Sequence, residues 1–135
     1  MKARRPVNLE QLPASSIQLI RARVGGGAVI WRYVLLLPLD ETKPGENTQP
    51  IATPDDLSVV ESCLAEHFHG VTVLPAVAGF GLRDGKVEGN TNVPYVVFAA
   101  PTAESEHYFQ TLKRELQDAL VQETILIERQ ETWVL

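Results

Sequence analysis

Strand-like and helix-like hydrophobic patterns follow each other in a regular order after residue 28. The strand-like runs are Ala28 to Leu39, Val71 to Leu82, Lys86 to Ala100 and Thr124 to Leu135. The helix-like runs, with apolar residues three and four apart, extend from Thr53 to Gly70 and from Thr102 to about Val121. The order β-α-β-β-α-β predicts a ferredoxin-like α+β fold, with an antiparallel sheet and two helices on one of its faces.

Two of the strand-like runs are apolar on both faces. These are Ala28–Leu39 and Pro94–Ala100, whereas Glu128, Gln130 and Glu131 interrupt the last run. Strands that are buried on both sides read as continuous apolar runs. We therefore predict that the first two runs are adjacent central strands and that the last one is an edge strand.

Local signals indicate where the elements begin and end. Thr53 is a favourable N-cap, Pro54 suits the first helical position, and Asp55 and Asp56 complement the positive end of the helix. Gly70 is expected to end this helix. The pair Asp84-Gly85 predicts a two-residue hairpin turn. Residues 40–52 are expected to form the longest polar loop, and the stretch GNTN at 89–92 is interpreted as a bulge or an irregular strand end.

The N-terminal segment divides into two parts. Residues 1–14 are basic and contain Pro6 and Pro13, which predicts a mobile arm. Residues 16–24 alternate in polarity, as in a short strand, and the glycines at 25–27 allow either a hairpin into the next strand or a flexible joint. We expect an extra N-terminal strand, and a single domain over residues 1–135 with a folded body from residue 16.

The bulk composition is that of an ordinary globular domain. The chain has 135 residues, of which 44% are hydrophobic and 21% charged. Its single cysteine, Cys63, excludes an intrachain disulfide, fits a reducing compartment and is expected to be a small buried hydrophobe. No run has the length of a membrane span, and the N-terminus lacks the apolar core of a secretory signal. A cytoplasmic location without membrane association is therefore expected.

The charge is distributed unevenly. The net charge is −5, yet residues 1–32 contain six of the twelve Lys and Arg residues and one of the seventeen acids. The rest of the chain is therefore strongly acidic. Since nucleic-acid binding requires a basic face, no nucleic-acid partner is expected.

Known chemical motifs are missing from the sequence. His67 and His69 are two residues apart, which puts them on different faces of a helix and disfavours a shared metal ion. The sequence contains neither CxxC nor a phosphate-binding glycine loop. We therefore predict no metal, no cofactor and no catalytic residue.

A few residues remain as candidates for ligand binding. Trp31 and Trp133 lie near the start of the first strand and the end of the last, so antiparallel pairing would bring them close, as a stabilising pair or a ligand-stacking pair. Gln122 and Glu123 lie at the corner before the last strand, where polar side chains either satisfy loose backbone groups or bind a ligand. The charged candidates on the strands are Arg32, Arg129 and Glu131. The candidate ligand-binding residues are Trp31, Arg129, Trp133, Gln122 and Glu123.

Two motifs in the second half of the chain resemble a known family. The stretch GVTV at 70–73, with Gly79 and Gly85 after it, and the stretch QETIL at 122–126 resemble a small bacterial family known only as a domain of unknown function. The resemblance covers roughly residues 35–128, although this chain has Phe80-Gly81 where the family has a tryptophan. It implies a ferredoxin-like fold and no particular activity.

The first strand carries more apolar surface than two helices can cover. Trp31, Tyr33, Leu35 and Leu37 lie on one of its faces, and Ile30, Val34 and Leu36 lie on the other. Large open apolar patches are unusual on monomers, so either the N-terminal segment or a second subunit is expected to cover this face. We expect a homodimer or larger assembly through the open sheet face.

Two functional classes are compatible with these features. The favoured one is a non-enzymatic module that acts through oligomerisation or by binding a small ligand or a protein partner. The alternative is a small dimeric α+β barrel-type enzyme that acts on a hydrophobic substrate. Polar side chains converging in a cavity at the sheet would favour the enzyme, and a dry, filled interface would favour the module.

Overall fold

The computed structural model describes residues 28–134, so the predicted basic arm and the predicted strand at 16–24 lie outside the described residues. The described chain forms six strands and two helices. In chain order they are β1 (Ala28–Thr42), β2 (Gln49–Pro50), α1 (Pro54–Phe68), β3 (Thr72–Val73), β4 (Val77–Arg83), β5 (Lys86–Ala99), α2 (Ala103–Ala119) and β6 (Leu126–Val134). The predicted α+β class, with an antiparallel sheet and two helices, is confirmed.

β1 and β5 form the centre of the sheet. They pair with each other from Trp31↔Ala99 to Thr42↔Gly89. β6 pairs with the other edge of β1, and β3 and β4 pair with the other edge of β5, all in antiparallel orientation. The prediction that the two doubly apolar runs are adjacent central strands is confirmed.

The strand count exceeds the four of the βαββαβ plan. The predicted strand from Val71 to Leu82 divides into β3 and β4 around Pro75, which cannot donate a hydrogen bond to a ladder. The predicted loop at 40–52 supplies the two-residue strand β2, next to which the Ile51 amide donates to the Leu39 carbonyl at 2.8 Å. β1 also continues to Thr42, past a β-bulge between Pro38 and Asp40.

The ends of α1 follow the local signals closely. The Thr53 hydroxyl accepts from the Asp56 amide at 3.2 Å, and the Asp56 carboxylate accepts from the Thr53 amide at 2.8 Å. This reciprocal capping lowers the pKa of Asp56. At the other end the C-cap is His69, in the left-handed conformation with a φ of 62°, one residue before the Gly70 that was expected to end the helix.

The core lies between one face of the sheet and both helices. The sheet contributes alternate residues of its two central strands, and the helices contribute their apolar stripes. Its buried members include Tyr33, Leu35, Leu37, Val93, Tyr95, Val97, Val60, Leu64, Phe109, Leu112 and Leu116. On the opposite face of the sheet Val96 is buried, Val34 and Leu36 are half-buried, and Phe98 and Leu126 are 49% and 46% exposed.

The expectation of a buried Cys63 is wrong. The thiol-bearing residue is exposed, because the buried stripe of α1 is narrow and consists of Val60 and Leu64. Neither of the two described helices is long and apolar enough to cross a membrane.

Candidate functional site

A cavity of about 370 Å³ opens on the sheet face that is opposite the helices. This volume falls within the range of about 300–1,000 Å³ that is usual for small-molecule sites. Apolar residues of β1, of the segment after β2 and of β6 form its floor, and polar residues of β1, of β5 and of the segment before β6 form its sides. The floor includes Leu36, Pro38, Ile51 and Leu126, and the polar residues include Glu41, Glu88, Asn90, Asn92 and Thr124. We call this space the sheet-face cavity.

Strand register brings the polar residues of the sheet-face cavity together. Asn90 lies opposite Glu41 on one side and opposite Gly79 on the other. Side chains on a strand alternate between faces, so Glu88, Asn90 and Asn92 all belong to the cavity face. The β-bulge after Pro38 shifts the alternation of β1 by one residue and so places Glu41 on this face.

Asn90 has a hydrogen-bond partner on its own strand and open space beside it on β4. The Asn92 Nδ2 donates a hydrogen bond to the Asn90 Oδ1 at 3.0 Å. The space that the Asn90 amide occupies is open because residue 79 is glycine, since a Cβ atom there would overlap the Asn90 Oδ1. The two amides are therefore hydrogen-bonded to each other along one side of the cavity.

The two carboxylates of the cavity differ in their partners. Glu88 accepts a hydrogen bond from the Arg83 Nε at 2.8 Å. The Glu41 Oε1 lies 4.0 Å from the Lys43 Nζ, which is beyond hydrogen-bond distance. Within the described part of the chain, Glu41 therefore keeps acceptor capacity for a cation or a hydroxyl group of a ligand.

A second polar cluster lies on the helix side of the sheet. The Tyr33 hydroxyl donates to the Glu106 Oε2 at 2.8 Å, and the Arg129 Nη1 donates to the same oxygen at 2.9 Å. Arg129 also lies over the Trp31 ring, 4.1 Å from its centroid. Burial and the bond to Glu106 raise the pKa of Tyr33, and the hydrogen bonds from Tyr33 and Arg129 lower the pKa of Glu106. The buried Tyr33 and the mutual contacts of these side chains are those of a stabilising cluster.

The Glu106→Ala variant is expected to lower the free energy of unfolding by about 1–3 kcal/mol, because the buried Tyr33 hydroxyl loses its acceptor. Chemical denaturation of the single variants Glu106→Ala and Tyr33→Phe and of the double variant measures this. The double variant should lose less than the sum of the two single losses, and additive losses would contradict the coupling.

The same contact predicts a pH dependence. The pKa of Glu106 is lower in the folded protein, so its contribution is present above the pKa of an unfolded glutamate and is lost as the pH falls through the folded value. As the pH is lowered through the acid range, the denaturation midpoint of Glu106→Ala should therefore decrease less steeply than that of the wild type. Parallel curves for the two proteins would contradict this assignment.

The structure distributes the sequence-predicted candidates over both faces. Trp31 and Arg129 come together in the helix-side cluster, where the guanidinium covers one side of the indole ring. Trp133 is opposite Val29 and is 69% exposed, and the described aromatic rings include no pairing of it with Trp31.

The Gln122 side chain donates to the Val121 carbonyl at 3.2 Å, as the turn interpretation predicts, and Gln122 also lines the sheet-face cavity. The Glu123 carbonyl accepts from the Gln117 side chain at 2.7 Å.

Glu41, Gly79, Asn90 and Asn92 were not among the predicted site residues. The alternation in the stretch GNTN places Asn90 and Asn92 on one strand face, and this signal could have identified them.

Among residues 28–134 no group of three or more His, Cys, Asp or Glu side chains could hold a metal ion. His67 instead stacks on Tyr108, with ring centroids 4.0 Å apart.

Comparison with known proteins identifies the fold. No family model matches the chain, and no curated protein matches it, so the resemblance to the bacterial family stays a prediction. A solved phage SAM lyase in complex with S-methyl-5'-thioadenosine is similar, with a TM-score of 0.50 and 18% identity over 81% of this chain and 89% of that chain. A phage SAM lyase in the apo state has a TM-score of 0.47 and 21% identity, over 81% and 84%.

The first of these similarities shows that the chain shares a fold with an enzyme. The prediction of a non-enzymatic module is therefore corrected, and the alternative, a small α+β enzyme, agrees better with the fold. The module was favoured because the sequence shows few charged residues on its strands and no recognisable catalytic motif, and the fold itself can serve unrelated functions. The polar side chains that converge in the sheet-face cavity are the feature that we expected of the enzyme.

Proposed function

We propose that this protein is a small enzyme that binds S-adenosylmethionine, or a closely related adenosine sulfonium compound, in the sheet-face cavity and releases a thioether. The observation that carries this proposal is the cavity itself. It combines an apolar floor with a carboxylate and two hydrogen-bonded amides, on a fold shared with a SAM lyase that binds S-methyl-5'-thioadenosine.

The chemistry of the cavity suits each part of such a substrate. Leu36 and Leu126 offer an apolar surface to a flat purine ring. The Asn90 and Asn92 amides and the Thr124 hydroxyl offer hydrogen bonds to ring nitrogens and ribose hydroxyls. Glu41 offers a negative charge to the sulfonium ion, and the acidic body of the protein attracts a cation over longer distances.

The proposed reaction breaks one carbon–sulfur bond. The bond joins the sulfonium sulfur to the amino-acid chain, and its electron pair stays on sulfur, so that the sulfonium becomes the neutral S-methyl-5'-thioadenosine. The carboxylate of the same amino-acid chain forms a new bond to the carbon that sulfur leaves, so the second product is a lactone and no further reactant is needed. The role of Glu41 is to bind and orient the cationic sulfur. Because the product has lost this charge, Glu41 holds the product less strongly than the substrate, which favours product release.

Incubation of the purified protein with S-adenosylmethionine tests the proposal. Chromatography should show S-methyl-5'-thioadenosine accumulating in proportion to enzyme and time, above the slow spontaneous decay in a control without protein. The matched control is the Glu41→Gln protein at the same concentration. A rate of product formation equal to spontaneous decay, together with no binding of S-adenosylmethionine or of S-methyl-5'-thioadenosine, would contradict the proposal.

We also propose that the sheet is an elaborated ferredoxin-like plan. The strand order β6-β1-β5-β4, with helices after β1 and β5, supports this arrangement, and β2 and β3 are short additions to it. The extra N-terminal strand of this proposal would lie at 16–24, outside the described residues.

We further propose that a second copy of the chain covers the open sheet face. The support is the exposure of Phe98 and Leu126 on the same face as the cavity, which a second sheet would also close from water. Light scattering at physiological salt should give at least twice the chain mass of 14.9 kDa. A mass of one chain at all concentrations tested would contradict this assembly.

A further inference from the structure

We infer that the Asn90–Asn92 pair is a specificity element that reads the amino edge of an adenine base and rejects purines with a 6-oxo group. This inference rests on the proposed function, and it names the residues that select the base. Its starting point is the hydrogen bond from the Asn92 Nδ2 to the Asn90 Oδ1, at 3.0 Å on one side of the sheet-face cavity.

This hydrogen bond determines which groups remain for a ligand. An asparagine side chain has one acceptor oxygen and one NH₂ donor group. With the Asn90 oxygen already bonded to one N–H of Asn92, the pair retains the Asn92 Oδ1 as acceptor and the Asn90 Nδ2 as donor, together with the second N–H of Asn92. Turning either amide over alone would bring two oxygens or two NH₂ groups together, so the orientation of one amide determines that of the other. In either joint orientation the pair presents one acceptor oxygen and one free NH₂ group side by side.

The remaining acceptor and donor complement adenine. An adenine edge presents the N6 amino group as a donor beside a ring nitrogen that accepts, and asparagine side chains recognise this arrangement. In this cavity the Asn92 Oδ1 would accept from N6 and the Asn90 Nδ2 would donate to the ring nitrogen. A 6-oxo purine places an acceptor oxygen where the amino group was, opposite the Asn92 Oδ1.

The surroundings of the pair favour this binding mode. Gly79 leaves the space that the Asn90 amide occupies, and Glu41 lies on the other side of Asn90 in the same row of the sheet. Leu36 of β1 and Leu126 of β6 lie opposite each other and form part of the apolar floor. A purine resting on this floor can direct its edge towards β5 and leave Glu41 for the charged part of the substrate.

Calorimetric titration of the full chain with two nucleosides tests the inference. The probes are S-methyl-5'-thioadenosine and its 6-oxo analogue, 5'-methylthioinosine, which differ in the purine edge and in neither the ribose nor the thioether. We expect the 6-oxo analogue to bind about 10–100-fold more weakly to the wild type. In Asn92→Ala this difference should fall to less than about threefold, because both the acceptor and the restraint on Asn90 are lost.

The control variant is Thr91→Val, on the neighbouring position of β5 and on the opposite strand face, and it should keep the full discrimination. Equal binding of the two nucleosides by the wild type would overturn this inference and leave the proposed function standing. Unchanged discrimination in a folded Asn92→Ala protein would overturn it as well. No binding of either nucleoside would overturn the inference together with the proposed function. The comparison of the two nucleosides on the wild-type protein tests the inference even where a variant fails to fold.

Discussion

Replacing Glu41 by glutamine is expected to lower kcat/KM for S-adenosylmethionine by about 10–100-fold, because an amide cannot attract the sulfonium charge as a carboxylate does. The Glu41 carboxylate borders the sheet-face cavity and lies 4.0 Å from the Lys43 ammonium group, its nearest cationic neighbour among residues 28–134. Glutamine preserves the size of the side chain and one acceptor oxygen. The loss therefore reports on charge rather than on shape.

Two controls separate this effect from general damage to the cavity. Binding of the neutral S-methyl-5'-thioadenosine should change by less than about threefold in Glu41→Gln, since no sulfonium charge is involved. Glu88→Gln should reduce kcat/KM less than Glu41→Gln does, because Arg83 already compensates the Glu88 charge. Equal losses for the charged substrate and the neutral product in Glu41→Gln would contradict the proposed role of Glu41.

The Gly79→Ala variant is expected to weaken binding of S-methyl-5'-thioadenosine and to lower turnover by about 10–100-fold, the scale of effect that a shift of about 1 Å at a site can produce. A methyl group at this position would overlap the Asn90 Oδ1, so the Asn90 amide must leave its place beside Asn92. Nucleoside titration and turnover assays measure the two effects.

Gly81→Ala is the matched control on the same strand. A Cβ at Gly81 has only an ordinary contact, 4.0 Å from the Glu88 Cγ, and Gly81 also lines the cavity. This variant should bind and turn over substrate within about threefold of the wild type, since no neighbour has to move. Thermal melts of both variants show whether either substitution alters folding. Equal losses in Gly79→Ala and Gly81→Ala would contradict the proposed role of Asn90.

Most of the fold could be predicted because its signals are local. The Thr53 cap, the Asp84-Gly85 turn and the apolar character of Pro94–Ala100 each act over a few residues, and the structure contains all three features. Asp84 and Gly85 have φ values of 51° and 75°, as a tight hairpin turn requires. The division of one predicted strand at Pro75 was missed because its apolar pattern continues through the interruption.

The candidate site was harder to predict because it depends on register. The bulge after Pro38 directs Glu41 into the cavity, and residues 40–52 read as a polar loop in the sequence. The stretch with Asn90 and Asn92 was interpreted as a bulge or an irregular strand end, whereas the bulge lies in β1. Trp31 is opposite Glu131, so the expected pairing with Trp133 is displaced by two residues.

The function could not be predicted from the order of elements. Ferredoxin-like and related α+β folds carry many activities, so the pattern alone left an enzyme and a binding module open. The cavity depends on contacts between residues far apart in the chain, such as Glu41 with Asn90 and Asn90 with Gly79. These contacts appear only when the strands are paired.

Locating bound S-methyl-5'-thioadenosine by two-dimensional amide NMR tests the central claim most directly. Titration of the labelled full chain should shift the backbone amides of Gly79, Gly81, Glu88 and Asn90, which line the sheet-face cavity. The amides of Glu106 and Arg129 in the helix-side cluster should change little. Shifts concentrated around Glu106 and Arg129, or no shifts at saturating nucleoside, would contradict the assignment of the sheet-face cavity as the substrate site.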